Sequence, residues 1–255
     1  MTPCVSVVIP VKENDPSPQL PELLEQLKRQ TVECEILLMG GRGIGQARRR
    51  GVEQAKCDII AFIDSDCLLS CDNWIEGMIQ PFTDGEVVCT HTIGYFNRND
   101  PAIMRYSILT FDEELLTADS FRPGTGHTLM RKSAILDAGN FKDVNACEDL
   151  LLTKVMKGKF VYMPHLKVHH FHATTIKQYL WKQYRTTKGC RDAAKVYDPH
   201  FLYNDNEAKE FRNKQIRRNN RMFVRALFMQ EDPAWLLWPF MGLCQLFIYR
   251  VILRG

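Results

Sequence analysis

Short apolar runs alternate with amphipathic stretches through the first 66 residues of the chain. Residues 4–11, 34–39 and 58–63 are rich in Val, Ile and Leu, and such continuous runs predict strands that are buried on both faces. Apolar residues at helical spacing between residues 20 and 30, and a second helical stretch ending near residue 55, predict the helices between these strands. This alternation indicates right-handed crossovers and a parallel sheet of the nucleotide-binding type.

The pattern after residue 66 predicts further elements of the same α/β class. Strands are predicted at residues 86–95, 127–130 and 159–163. Helices are predicted at residues 74–82, 101–118, 132–138 and 148–156. We therefore expect a mixed, mostly parallel sheet flanked by helices, in a domain that spans residues 1–206.

The last segment of the chain is different, because residues 234–253 are almost wholly apolar. The run has nearly the length of a bilayer span, but Pro239, Gly242 and Arg250 favour a re-entrant or interfacial pair of helices. Two tryptophans near its start suit the headgroup region of a membrane. The alternative is a C-terminal helix that packs on the domain or on a second subunit in a homo-oligomer.

The charge distribution favours the membrane interpretation. The chain has a net charge of +3, yet residues 209–225 alone carry seven Lys or Arg and one Glu, a local charge of +6. We expect residues 207–255 to form a basic and apolar helical segment that associates with a membrane surface. No nucleic acid partner is expected.

The cysteines predict the compartment. The chain has nine, an odd number, with no C-x-x-C pair and several inside apolar strands. This usage favours reduced thiols over a disulfide framework, and the first residues lack the pattern of a signal peptide. The expected location is cytoplasmic, with peripheral association at the cytoplasmic face of the membrane.

Two acids stand directly after the third predicted strand, at Asp64 and Asp66 with Ser65 between them. The carboxyl ends of strands are where open α/β sheets bind ligands. Two carboxylates so close repel each other unless a cation or proton shares the site, and their oxygens suit Mg²⁺ or Mn²⁺. The alternative is an ordinary strand-end turn, since Asp and Ser favour turns and helix caps.

The glycines at residues 40–45 do not form a known nucleotide motif. They lack the G-x-G-x-x-G spacing, because position 46 is Gln, and the chain has no Gly-Lys-Ser/Thr of a P-loop. Our interpretation is that they let a backbone turn approach a ligand at a helix amino terminus.

Two further groups of residues could carry chemistry. Glu148 and Asp149 open a predicted helix, where acids complement the helix dipole, and either could also act as a general base. His169, His170 and His172 place three imidazoles within four residues. Along a strand, His170 and His172 would share one face. Beside a carboxylate site, such a cluster favours the interpretation that one of these histidines binds a metal ion.

Several of these stretches together resemble the inverting GT-A glycosyltransferases of family 2. The resemblance rests on the order and spacing of separate segments along residues 4–190. They are Val5-Ser6-Val7-Val8-Ile9-Pro10-Val11, Ala47-Arg48-Arg49-Arg50-Gly51, Phe62-Ile63-Asp64-Ser65-Asp66, Gly139-Asn140-Phe141, Glu148-Asp149 and the segment from Pro164 to His170.

The resemblance implies a role for each matching residue. Asp149 is implied as the general base, and Asp66 and His170 as ligands of Mn²⁺ or Mg²⁺, with His172 as the alternative ligand. The implied donor-binding residues are Pro10, Val11, Glu13, Arg48, Asp64, Ser65, Gln183 and Arg185. The implied acceptor-side residues are Gly126, His127 and Glu148.

The resemblance also implies a function, with one departure from the family pattern. The expected reaction is the transfer of a sugar from a UDP-type or GDP-type donor to a hydroxyl of a glycan or of a polyprenyl-linked, membrane-associated acceptor. Where the family has an Asp-rich turn after its second strand, this chain has Met39-Gly40-Gly41-Arg42, which leaves the nucleobase open. The alternatives are a degenerate, non-catalytic sugar-nucleotide-binding module and a nucleotidyltransferase of related fold.

Overall fold

The computed structural model describes residues 4–12, 16–110, 123–171, 173–197 and 206–254. The chain forms two compact units. The first unit consists of Met1–Tyr95 and Leu116–His170, and the second of Phe96–Leu115 and Phe171–Gly255. The boundary predicted at residue 206 stays a prediction.

The described residues of the first unit contain two sheets. The strands, in chain order, are β1 (Val5–Pro10), β2 (Cys34–Met39), β3 (Ile59–Ile63), β4 (Cys67–Leu69), β5 (Val87–His91), β6 (Gly94–Tyr95), β7 (His127–Arg131), β8 (Lys159–Tyr162) and β9 (Val168–His170). The larger sheet has the order β2-β1-β3-β7-β5-β8, and the smaller has the order β4-β9-β6.

Helices are found in both units. They are α1 (Leu20–Lys28), α2 (Ile44–Gln54), α3 (Trp74–Ile79), α4 (Ala102–Leu109), α5 (Lys132–Asp137), α6 (Glu148–Thr153), α7 (Ile176–Tyr197), α8 (Asn206–Leu227) and α9 (Trp238–Arg254). Of these, α4, α7, α8 and α9 belong to the second unit. Short 3₁₀ helices cover Gln80–Thr83 and Pro233–Leu237.

One reversed strand makes the larger sheet mixed. β1 pairs in parallel with β2 and β3, whereas β7 pairs antiparallel with both β3 and β5. Ile63 at the end of β3 therefore lies opposite His127 at the start of β7. The predicted mixed, mostly parallel sheet flanked by helices is confirmed.

The central strands β1 and β3 are buried on both faces, as their apolar runs predict. Val7 and Ile9 pack on one side with α1 and α3, in a cluster that includes Trp74. Val8 and Phe62 pack on the other side with residues of α2 and with Phe141. Successive residues of a strand point to opposite faces, so a strand with helices on both sides has to be apolar throughout.

The smaller sheet was not predicted. The strand expected at 86–95 is interrupted, because β5 ends at His91 and the chain resumes as β6 in the smaller sheet. β4 and β9 have three residues each, too few to show a period in the sequence.

The cysteines correct one expectation. Cys4 and Cys57 form a disulfide, with Cα atoms 5.6 Å apart, because they stand just before the neighbouring strands β1 and β3. The expectation of reduced thiols is wrong for this pair. Cys34, Cys67, Cys71, Cys89 and Cys244 form no disulfide within the part of the chain that the structure describes. The cytoplasmic location stays a prediction.

The apolar C-terminal run forms a 3₁₀ turn followed by the single helix α9, rather than a pair of helices. Pro239 does not break the helix because it lies in the first turn, where its missing N–H is not needed. The stretch Pro233–Ile252 has 20 residues and is long and apolar enough to cross a membrane, and 17% of its most apolar part is buried. Trp235 at its start is fully buried against Tyr106 and Tyr179 of the second unit.

Candidate active site

The pairing of two short strands brings Asp66 and His170 together. Asp66 immediately precedes β4, and β4 pairs antiparallel with β9 so that Cys67 lies opposite His170. Nε2 of His170 is 3.2 Å from Oδ1 of Asp66. Asp64, at the end of β3, joins them, and one ligand atom from each of the three residues lies within 4.8 Å of the others.

This group has the donor types that Mn²⁺ and Mg²⁺ use. Two carboxylates provide hard oxygen ligands, and the imidazole of His170 provides a nitrogen. The neighbouring His169 points away and stacks on Tyr95, with ring centroids 5.1 Å apart, as strand alternation requires. His172, the alternative ligand, lies outside the described residues.

Arg48 is the centre of a buried ion-pair network. Its guanidinium donates to the carboxylate of Glu148, to Oδ1 of Asp64 at 2.7 Å and to the carbonyl oxygen of Thr125 at 3.1 Å. The side chains of Arg48 and Glu148 are each only 3% exposed. Buried charges persist only when they are paired and hydrogen-bonded, so this network holds α2, α6 and the end of β3 in one arrangement.

Asp149 differs from its neighbour Glu148. It is half-buried, and its carboxylate accepts from the backbone N–H of Leu150 at 2.7 Å and of Thr125 at 3.3 Å. Among the described residues, no cation forms an ion pair with it. Burial, and the nearby charge of Asp149, raise the pKa of Glu148 to about 7. One acid of the pair is thus part of the buried network, and the other remains accessible.

The backbone at Gly126 closes the site from the side of β7. Its carbonyl oxygen accepts from the N–H of Asp64 at 3.0 Å. A Cβ atom at this position would lie 2.9 Å from Oδ2 of Asp64, so a side chain here would displace the Asp64 carboxylate. The next residue, His127, lies with its ring centroid 5.8 Å from that of His170, and burial lowers its pKa to about 3.

The structure places the other predicted donor-binding residues as follows. Pro10 ends β1, and Val11 donates its N–H to the carbonyl oxygen of Met39 at 3.0 Å. Ser65 is half-buried between the two site aspartates, and Glu13 lies outside the described residues.

The two remaining donor-binding candidates belong to another part of the molecule. Gln183 and Arg185 lie on α7 of the second unit. The roles predicted for all the donor-side and acceptor-side residues stay predictions.

Gly43 and Gly45, at the start of α2, lie close to a distant part of the same chain. A Cβ on Gly45 would overlap the carbonyl oxygen of Lys142 and lie 2.8 Å from that of Val144. The N–H of Gly45 also donates to the Val144 oxygen at 3.3 Å. Gly43 and Gly45 therefore permit a close contact with residues 142–145. The interpretation that the glycines let a backbone turn approach a ligand stays a prediction.

Two features of the site were not predicted from the sequence. Arg48 is buried as the partner of two carboxylates, which was not predicted, and its role at the donor stays a prediction. Cys67 directly follows Asp66 and lies within the same cluster as His170. The arginine run at 48–50 on a helix with an apolar stripe could have indicated that one of the three faces inward.

Comparison with known proteins identifies the family. The family model described as "Glycosyl transferase family 2" matches residues 8–139, more than half of the chain. The chain belongs to glycosyl transferase family 2. The predicted family and enzyme class are confirmed, and the reaction is the transfer of a sugar from a nucleotide sugar.

Solved structures show the same fold as this family 2 chain. A mannosyltransferase, PcManGT from Pyrobaculum calidifontis in complex with GDP-Man and Mn²⁺, is similar with a TM-score of 0.63 at 14% identity, covering 98% of this chain and 86% of that chain. TarS of S. aureus is similar with a TM-score of 0.52 at 14% identity, covering 77% of this chain and 41% of that chain. A search of curated proteins found no match. The predicted GT-A fold is confirmed.

Proposed function

We propose that this family 2 enzyme is an inverting glycosyltransferase that uses Asp149 as its base and a lipid-linked acceptor at a membrane. The observation that carries the catalytic part is the convergence of Asp64, Asp66 and His170, together with a half-buried Asp149 that forms no ion pair with a cation of the described residues. A degenerate binding module would not be expected to keep all four groups together.

The residues present fit a divalent cation. Asp66 and His170 would hold Mn²⁺ or Mg²⁺, with Asp64 in reach of the ion or its waters. When bound, such an ion neutralises the charge that develops on the departing nucleoside diphosphate. The presence of Mn²⁺ and GDP-Man in the similar mannosyltransferase supports this assignment.

Asp149 is suited to accept a proton from the acceptor. Its carboxylate is held by two backbone N–H groups, and a Cβ on Gly124 would lie only 3.1 Å from its Oδ2. A general base needs a carboxylate that is fixed in place and open to the attacking hydroxyl. As that oxygen attacks the anomeric carbon from the face opposite the diphosphate, its proton passes to Asp149 and the configuration inverts.

A donor panel with a base variant tests this mechanism. UDP and GDP sugars are incubated with the enzyme and Mn²⁺ or Mg²⁺, and release of the nucleoside diphosphate is measured. We expect Asp149→Asn to lower turnover by about 10²–10⁴-fold, the usual contribution of a general base. Calorimetry should show unchanged binding of the nucleoside diphosphate and Mn²⁺.

The control for this experiment is Asp137→Asn, an exposed acid at the end of α5. It should retain wild-type turnover. Near-normal turnover in Asp149→Asn would remove Asp149 from the mechanism. The panel also shows which nucleobase the enzyme prefers. The sequence leaves this open, because the exposed Arg42 follows β2 where the family has an Asp-rich turn.

The apolar surface of the second unit supports a membrane-bound acceptor. A groove of about 910 Å³ runs between α7 and α9. Its walls include Leu180, Trp181 and Tyr184 on α7, and Phe240, Leu243 and Phe247 on α9. The three α9 residues are 52%, 69% and 70% exposed, an arrangement that water disfavours and a lipid chain would stabilise.

The charge of α8 supports an anionic lipid surface. Lys214, Arg217, Arg221 and Arg225 are exposed and follow one another at intervals of three or four residues, so they share one face of the helix. Basic residues near an anionic membrane contribute about 1 kcal/mol each to binding.

Flotation with liposomes tests the membrane proposal. We expect the full chain to float with vesicles that contain anionic lipid, and the triple change of Phe240, Leu243 and Phe247 to Ser to remain at the bottom. The matched control changes Leu38, Leu136 and Val155, also exposed apolar residues, to Ser and should still float. Equal flotation of the two triple variants would overturn the proposal.

The acceptor is tested separately. Polyprenyl phosphate in vesicles and soluble oligosaccharides are offered with the donor found in the panel. Transfer to the lipid supports the proposal, and transfer to the soluble glycan alone would contradict it.

A further inference from the structure

A second group of metal-ligand type lies beside the carboxylate site. One ligand atom each from Cys67, His127 and His170 lies within 4.8 Å of the others. Cys67 is fully buried and His170 is 4% exposed. His170 belongs to both groups, so the two candidate sites adjoin.

The donor types of this second group differ from those of the first. It offers one sulfur and two imidazole nitrogens, whereas the first offers two carboxylates and one imidazole. Thiolate and imidazole are the ligands that Zn²⁺ prefers, while carboxylates suit Mn²⁺ and Mg²⁺. The two groups therefore select different ions.

His127 supplies an independent sign of a ligand. Its Nδ1 is buried and has no hydrogen-bond partner within the part of the chain that the structure describes. Buried polar atoms are nearly always paired, and an unpaired one calls for an explanation such as an ion. Sγ of Cys67 lies 3.7 Å from the carbonyl oxygen of Gly126, a weak contact that metal binding would replace.

The fold explains why these three residues meet. Cys67 begins β4 opposite His170 of β9, and His127 begins β7 opposite the end of β3. The chain passes from β3 to β4 through Asp64–Asp66, so both groups are built on the same turn. Side chains on strands are held more firmly than side chains on loops, which favours a preformed site.

We propose that Cys67, His127 and His170 bind a thiophilic divalent cation of the Zn²⁺ type. On binding, the thiol of Cys67 releases its proton to solvent, and the resulting thiolate and the two neutral imidazoles occupy three of the four tetrahedral positions. The side chain of Asp66 is 33% exposed, so an ion reaches the cluster through the carboxylate site.

A consequence is that Zn²⁺ and the catalytic cation exclude each other. Both use His170, and two divalent charges at such close range repel strongly. This exclusion rests on the cation site of the proposed function, whereas the Cys67 site itself does not. Zn²⁺ would then act as an inhibitor of Mn²⁺-dependent transfer.

Co²⁺ serves as the probe for the thiolate, because it takes Zn²⁺ sites and its bond to sulfur absorbs in the near ultraviolet. Titration of the full chain with Co²⁺ should produce this absorption, and added Zn²⁺ should remove it. Cys67→Ser should lose the band, whereas Cys71→Ser, a half-buried free thiol outside the cluster, should keep it. Asp66→Asn should also keep the band.

Two results would overturn the proposal: a wild-type protein without the band, or a Cys67→Ser variant that retains it. His127→Asn provides a second test if Cys67→Ser fails to fold, and it should weaken Co²⁺ binding at least tenfold.

The electron paramagnetic resonance signal of Mn²⁺ measures the exclusion, because Zn²⁺ should release bound Mn²⁺ from the wild type. Absence of Mn²⁺ binding with an intact thiolate band would contradict the catalytic cation assignment alone.

Discussion

At the scale of single residues, the ion-pair network of the site depends on the side chain of Arg48. Its guanidinium pairs with Glu148 and Asp64, and removal leaves two carboxylates without their partner in a buried place. We expect Arg48→Met to lower the free energy of unfolding by about 3–5 kcal/mol, the usual cost of breaking a buried ion pair. Urea unfolding followed by circular dichroism measures this.

The control for Arg48→Met lies one residue further along the same helix. Arg49 is exposed and pairs with Glu53 across one turn of α2. Such surface pairs contribute about 0.3–0.5 kcal/mol, so Arg49→Met should be nearly neutral. Similar losses for the two variants would contradict the assigned role of the buried pair.

The buried carboxyl of Glu148 predicts a pH dependence of stability. Its pKa in the folded protein is about 7, against 4.5 for the ordinary group, so the folded state binds more protons between these values. Stability from this group is therefore complete below pH 4.5 and is lost as the pH rises towards 7.

Urea unfolding of the wild type and of Glu148→Gln, at several pH values between 4.5 and 7.5, tests this sign. The wild type should lose stability relative to the variant as the pH rises. A constant difference between the two proteins across this range would show that Glu148 keeps an ordinary pKa.

At the scale of elements, the contact between α2 and residues 142–145 depends on Gly45. A glycine to alanine change inside a helix normally stabilises by up to about 1 kcal/mol, because alanine has the higher helix propensity. At Gly45 the added Cβ meets backbone carbonyl oxygens, and overpacking of this kind costs about 1–3 kcal/mol. Gly45→Ala should therefore lower the melting temperature.

Gly242, on α9, is the matched control, because a Cβ there has open space around it. Gly242→Ala should be neutral or slightly stabilising in the same thermal melts. A gain in stability at both positions would mean that α2 and residues 142–145 are not in close contact.

The elements also show what a sequence can and cannot predict. β1 to β3 were predictable because each is an apolar run of strand length, and β1 and β3 are buried on both faces. β4 and β9 were not, since three residues carry no period, yet they bring Asp66 to His170. The acids and histidines of the site could be named from the resemblance, whereas the inward direction of Arg48 and the cluster at Cys67 depend on tertiary packing.

At the scale of the whole molecule, the second unit is assembled from distant parts of the sequence. Trp235 is fully buried and meets Tyr106 of α4 edge to face, with ring centroids 6.2 Å apart. We expect Trp235→Ala to cost about 3–5 kcal/mol, as for other buried tryptophans. Trp181, which is 64% exposed, should tolerate the same change with little loss.

Differential scanning calorimetry of the full chain measures both tryptophan variants. An equal effect of the two changes would contradict the packing described for the second unit. The same packing makes a chain shortened to residues 1–206 a poor probe of membrane binding. Such a chain lacks Trp235, which packs in one cluster with Tyr106 and Tyr179.

The reversed direction of β7 has a consequence for how this enzyme could diversify. Asp64 and Asp66 follow a strand in the chain, whereas Gly126 and His127 arrive at the same edge at the start of a strand that runs the other way. Exchange of the stretch that leads into β7 between homologous enzymes leaves the β3–β4 turn untouched. From the predicted acceptor-side role of Gly126 and His127, we expect such chimaeras to take the acceptor preference of the inserted piece while keeping the donor of the parent.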